Sequence, residues 1–113
     1  MKTRKIGIIG LGHVGAHVAY SLAIQGIADE LVLVDQKAQK LESERQDLAD
    51  SVAYLPHRVK ITAGDFADLG DCDVIVNSTG KIELLETHDR LSEMDFTIAA
   101  VRSYAGKIKA SGF

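Results

Sequence analysis

A single cysteine, Cys72, stands among 113 residues. An internal disulfide and a cysteine-built metal site are therefore excluded, no metal is expected, and a reducing, cytoplasmic setting fits best. The chain also lacks a basic excess, with 13 Lys and Arg against 16 Asp and Glu and a net charge of -3. Without a positive field to hold a phosphate backbone, nucleic acid is not an expected partner. Long apolar runs are missing as well. Met1 to Lys5 followed by apolar residues superficially resembles a secretory leader, but His13 and His17 interrupt the stretch and its glycines fall where a phosphate turn wants them. No other run approaches membrane-spanning length. There is no repeat, no low-complexity tract and no linker rich in proline or glycine. The length allows one domain, residues 1–113, and leaves no room for a two-domain enzyme.

What is present is an alternation of strands and helices. Lys5 to Ile9 is apolar without a polar face, as in a central parallel strand covered on both sides. Val14 to Gln25 reads as a helix with Ala16, Ala19 and Ala23 permitting close approach to a sheet, and Gly26 stops it. Glu30 to Asp35 gives a second buried strand. Gln36 to Tyr54 follows as an amphipathic helix carrying Leu41, Leu48 and Val52, with Pro56 preventing continuation. Val59 to Ala63 and Asp73 to Thr79 supply two more strands. The connection between them, Gly64 to Cys72, is too short for a full crossover helix and must use a single turn or a compressed segment. In the closing helix Leu91, Met94, Ile98, Val101, Ala105 and Ile108 are expected down one face, with Gly112 at its end.

These elements predict an α/β fold, a Rossmann-type doubly wound parallel sheet of four strands in the order 3-2-1-4. Two further strands would follow in the usual layout, so the sheet reads as truncated and the chain as part of something larger. The open flank of the fourth strand and the apolar face of the last helix are expected to seek partners, making a homo-oligomer the anticipated state.

The chemistry is concentrated in Gly10-Leu11-Gly12-His13-Val14-Gly15, between the first strand and its helix, and in Asp35, twenty positions past the last of those glycines. A bare GxGxxG carries little information. Placed after a strand, before a helix and ahead of a strand-terminal acid, it describes one βαβ dinucleotide unit. Gly10 allows the tight turn, Gly12 lets the backbone approach a pyrophosphate, and Gly15 lets the helix lie close on the strand. The diphosphate would sit against the free amides at the helix start. Asp35 would accept both hydroxyls of the adenosine ribose and oppose a 2′-phosphate by about 1 to 4 kcal/mol at ~4 Å, favouring NAD over NADP. The alternative use of Asp35 is as a cap for the helix beginning near Gln36. At the end of the fourth strand, Asn77-Ser78-Thr79-Gly80 lies on the same carboxyl edge.

Ile8 to Gly15, Leu33-Val34-Asp35, Gln46-Asp47-Leu48-Ala49-Asp50 and Ser78-Thr79-Gly80 together resemble the lactate/malate dehydrogenase family, most closely its L-2-hydroxyisocaproate dehydrogenase branch. The resemblance runs over the whole chain and implies the NAD-binding part of an NAD-dependent L-2-hydroxy acid dehydrogenase. It implies that the Ser78-Thr79-Gly80 segment, with Thr79 and Gly80 foremost, touches the cofactor, while His13 and Val14 are counted with the phosphate turn that binds it. It also implies that the stretch after Gly80 is a loop closing over substrate and carrying an arginine, matched by Arg90. Arg90 would polarise the substrate carbonyl and stabilise the charge that develops there. The loop from Lys81 to Asp89 is shorter than the resemblance leads one to expect. None of His13, His17, His57 or His88 matches the family's proton-exchanging histidine, which is expected beyond Phe113, so binding without useful turnover is anticipated of these residues alone. A second reading from another class is a nucleotide-sensing regulatory Rossmann domain of the potassium-transport type, which opens with a similar glycine turn and ribose acid.

Overall fold

A computed structural model describes residues 3–80 and 90–113, Arg90 by its backbone only. The short strand β1 (Lys5–Ile9) leads into helix α1 (His13–Gln25), then β2 (Glu30–Val34), α2 (Ala38–Val52) and β3 (Lys60–Ala63). A four-residue 3-10 helix (Phe66–Leu69) carries the chain to β4 (Val74–Asn77), and α3 (Arg90–Ala110) closes the described chain. All strand pairs are parallel, in the order β3-β2-β1-β4. The expected fold and strand order are therefore met. The expected loop from Lys81 to Asp89 lies outside the described residues.

Alternation along the two central strands divides the core into two layers. Ile6, Ile8, Leu31 and Leu33 point to one face, where Ala19 and Ala23 of α1 and Leu48 of α2 cover them. Small residues on α1 bring that helix close to the sheet, as the sequence suggests. Gly26 ends it in the left-handed conformation at φ 66°, its amide bonded back to Ala23 and Leu22 carbonyls. Ile9, Val32 and Val34 point to the other face, against Phe66, Leu69, Cys72 and Tyr104. Gly7 belongs to this second face, and a Cβ there would come within 2.5 Å of Leu69 Cδ2. The absent side chain is what lets the 3-10 helix lie flat on β1.

The short crossover is stabilised locally. Asp65 accepts the Phe66 amide at 2.7 Å and donates its own amide to Asp68 Oδ2 at 2.8 Å, capping the 3-10 helix from both ends of its first turn. Because four residues cannot cover the sheet, α3 lies over the same face, with the Tyr104 ring stacked on Phe66 at 5.0 Å between centroids and 17° between planes.

The packed face of α3 departs from expectation. Ala100, Val101, Tyr104 and Ile108 turn inward, whereas Leu91, Met94 and Ile98 are exposed. The inward row takes position 104 in place of Ala105, which is exposed. The helix is rotated toward the one side chain that combines a large ring with a hydroxyl able to reach the sheet end. On β4, Val74 is 51% exposed, and among the described residues this strand pairs with β1 alone.

Candidate functional site

The carboxyl ends of β1, β2 and β4 converge on the bend between β1 and α1. Gly10 has φ +87°, a conformation that L side chains rarely adopt, and a Cβ there would approach Ser78 O and Thr79 N to 3.0 Å each. Gly15 is buried, and a Cβ on it would fall 1.9 Å from the Gly10 carbonyl oxygen. These two glycines are thus required by the fold. Gly12 differs: a Cβ there would meet nothing within 4 Å. The space beside it is open, as a backbone surface approached by a ligand requires.

Gly12 is also the N-cap of α1 and provides no side-chain cap. The first intrahelical bond is donated by Ala16 to the Gly12 carbonyl at 3.0 Å. The amides ahead of it, including those of His13 and Val14, have no carbonyl four residues back within the helix. His13 and Val14 are themselves exposed at this edge. An uncapped helix start facing open space suits a diphosphate, with donors and dipole both favouring negative charge.

Asp35 follows β2 directly and is half-buried. Its Oδ2 accepts the Leu11 amide at 2.7 Å and its Oδ1 accepts the Lys37 amide at 2.8 Å. It does not cap α2, whose N-cap is Lys37. The carboxylate instead ties the end of β2 to the glycine bend. Two backbone bonds leave about two of its roughly four lone-pair positions for further donors, such as a pair of ribose hydroxyls.

On the opposite side of β1, Ser78 Oγ lies 2.6 Å from the Gly10 carbonyl oxygen and 2.9 Å from that of Ile9, so the exit of β4 is latched to the same bend. Thr79 donates its amide to Asn77 Oδ1 at 3.1 Å. Gly80 is exposed beside this turn, where a Cβ would come 3.2 Å from Glu93 Oε1. The structure therefore gathers Gly10, Gly12, His13, Val14, Gly15, Asp35, Thr79 and Gly80 along one sheet edge. Arg90 stands at the first residue of α3, and its side chain is outside the described residues. The residue that sequence reasoning missed is Tyr104, whose hydroxyl reaches Asn77 and Thr79. Its spacing from Val101 and Ile108 was the available signal.

Fit to a dinucleotide rests on three features: open space at Gly12, uncapped amides at the start of α1, and spare acceptor capacity on Asp35. Among the described residues no His, Cys, Asp and Glu cluster could hold a metal ion, and no helix is long and apolar enough to cross a membrane.

Residues 4–112 match the lactate/malate dehydrogenase, NAD binding domain family. The L-lactate dehydrogenase of Fusobacterium nucleatum subsp. nucleatum is 39% identical over all 113 residues, which span 35% of its length. The crystal structure of a minor L-lactate dehydrogenase from Enterococcus mundtii, in a ligand-bound form, superposes with a TM-score of 0.87 at 32% identity, covering 98% of this chain and 35% of that one. A Cryptosporidium parvum lactate dehydrogenase, solved with lactic acid and nicotinamide adenine dinucleotide, superposes at 0.67 with 26% identity over 72% of this chain and 26% of its own. The chain spans about a third of the length of the curated relatives it matches.

Proposed function

This chain belongs to the lactate/malate dehydrogenase family through its NAD-binding domain, and from that premise we propose that it holds NAD(H) for hydride exchange between a small L-2-hydroxy acid and the 2-oxo acid. The observation that carries this reading is the pairing of an unobstructed Gly12 with Asp35 on the same edge. The nucleotide-sensing regulatory alternative gives way to the family match.

When bound, the nicotinamide supplies the hydride. The chain's own part is to hold and orient it. Amides at the start of α1 take the diphosphate, and Asp35 takes the adenosine ribose and disfavours a 2′-phosphate. Arg90 polarises the substrate carbonyl, a role supported by its match to the family's loop arginine. The resemblance implies a proton-exchanging histidine outside residues 1–113, and the family match over residues 4–112 supports reading these residues as the NAD-binding part. A polypeptide of these residues is expected to bind cofactor without useful turnover. The substrate class is 2-oxo acids, with branched side chains of the isocaproate kind as the finer reading. Exposed Val74, Met94 and Ile98 support burial against a further chain or segment, a homo-oligomer among them. The single cysteine supports a cytoplasmic setting.

Titrating NAD and NADP into the protein and its Asp35→Ser variant tests the proposal. The unaltered protein is expected to prefer NAD, and the variant to lose at least about fivefold of that preference, the lower end of a one-charge effect. Unchanged discrimination would remove Asp35 from the ribose role. Activity of the full-length protein with pyruvate and with 2-oxoisocaproate then ranks the side chains.

A further inference from the structure

Tyr104 is 3% exposed on α3, and its ring is fixed by stacking on Phe66. Its hydroxyl donates to Asn77 Oδ1 at 2.7 Å and lies 3.0 Å from Thr79 Oγ1. A phenol has one proton. With that proton given to Asn77, the Thr79 hydroxyl must be the donor to Tyr104. Asn77 Oδ1 also receives the Thr79 amide. A short ordered chain of bonds therefore sets the direction of the Thr79 hydroxyl, while Ser78 fastens the same turn to Gly10.

The location of this network gives it a specific consequence. In the order β3-β2-β1-β4, Asp35 and the Asn77 turn lie on opposite sides of the glycine bend at the end of β1. A dinucleotide with its diphosphate at that bend and its adenosine ribose at Asp35 must lay its second nucleoside toward β4. We infer that Tyr104 is a positioning residue for the nicotinamide nucleoside, acting through Asn77 and Thr79 and not by touching the cofactor. The inference rests on the cofactor reading above and adds to it a residue from a different helix and the opposite layer of the core.

The test compares NADH with ADP, which carries the diphosphate and adenosine ribose but no second nucleoside, using calorimetry on the full chain. Tyr104→Phe keeps the ring and its stack while removing the hydroxyl. NADH is expected to bind about three- to tenfold more weakly, the loss of one half-buried hydrogen bond, with ADP affinity held within about twofold. Asn77→Ala leaves Tyr104 in place, should show the same split, and carries the test should Tyr104→Phe not fold. Combining the two should add little to either alone. Equal weakening of both ligands would mark a merely structural role and overturn the inference, as would unchanged NADH binding. Failure of the unaltered protein to bind either ligand would overturn the cofactor reading itself.

Discussion

The carboxylate of Asp35 and the amide of Leu11 meet at 2.7 Å, joining the end of the second strand to the middle of the glycine bend. One side chain thus serves two purposes: it shapes the loop that takes a diphosphate and keeps acceptor capacity for the sugar beside it. Asp35→Asn leaves only one carbonyl oxygen to serve both the Leu11 and Lys37 amides. A loss of about 1–3 kcal/mol is expected, read as a lowered denaturant midpoint without ligand. An unaltered midpoint would show that the Leu11 bond contributes nothing to the fold.

Gly12 and Gly15 should separate binding from folding. Alanine at Gly12 meets nothing within 4 Å, so unfolding should be nearly unchanged while NAD affinity falls by about tenfold or more. Alanine at Gly15 must displace the Gly10 carbonyl, with an expected cost of about 1–3 kcal/mol before any ligand is added. Thermal melts with and without NAD distinguish the two; equal apo stabilities would contradict the packing argument.

Leu69 and Gly7 should behave as a coupled pair. Leu69 is fully buried, and Leu69→Ala is expected to cost about 2–5 kcal/mol. Gly7→Ala places a methyl where the leucine now lies, so its cost should be smaller in the Leu69→Ala background than alone. Strict additivity in a double-mutant cycle would mean that the close approach of strand and 3-10 helix carries no energy.

Lys5 donates to Asp71 Oδ1 at 2.6 Å, which raises the amine above its ordinary 10.5 and lowers the carboxyl below its ordinary 3.8. The carboxyl's contribution to stability is present above 3.8 and is lost as pH falls through its depressed value. The amine's contribution is present below 10.5 and is lost as pH rises through its raised value. Asp71→Asn should therefore narrow the difference from the parent at both extremes and leave it constant between them. Melting temperature against pH reads this directly, and a difference that widens in acid would reverse the assignment.

Much of this architecture is legible in the residues. Lys5–Ile9 is legible as a strand because the residues after the lysine are apolar with no polar face, as in a strand covered on both sides. The glycine spacing and the acid after β2 point in the sequence to one edge of the sheet, and the structure gathers them there. Boundaries were less legible where side chains compete with the ladder. Asp35 takes the Lys37 amide, so α2 starts at Ala38 and not Gln36, and the Asn77 side chain takes the Thr79 amide, so β4 ends at Asn77 and not Thr79. The face of α3 is not legible from spacing because Val101 and Ile108 are compatible with either position 104 or 105, and apolar counting favours alanine. A buried tyrosine is chosen by where its hydroxyl ends, which periodicity does not contain.

The four-residue crossover between β3 and β4 has a consequence for how the domain assembles. One side of the sheet is covered by helices neighbouring its strands in the chain, so it can close early through local encounters. The other side waits for Tyr104 to reach back to Phe66, a distant pairing whose loop-closure entropy makes it slow. Until then the side of Val34 and Phe66 that Tyr104 covers in the finished fold has no partner from the neighbouring stretch of chain.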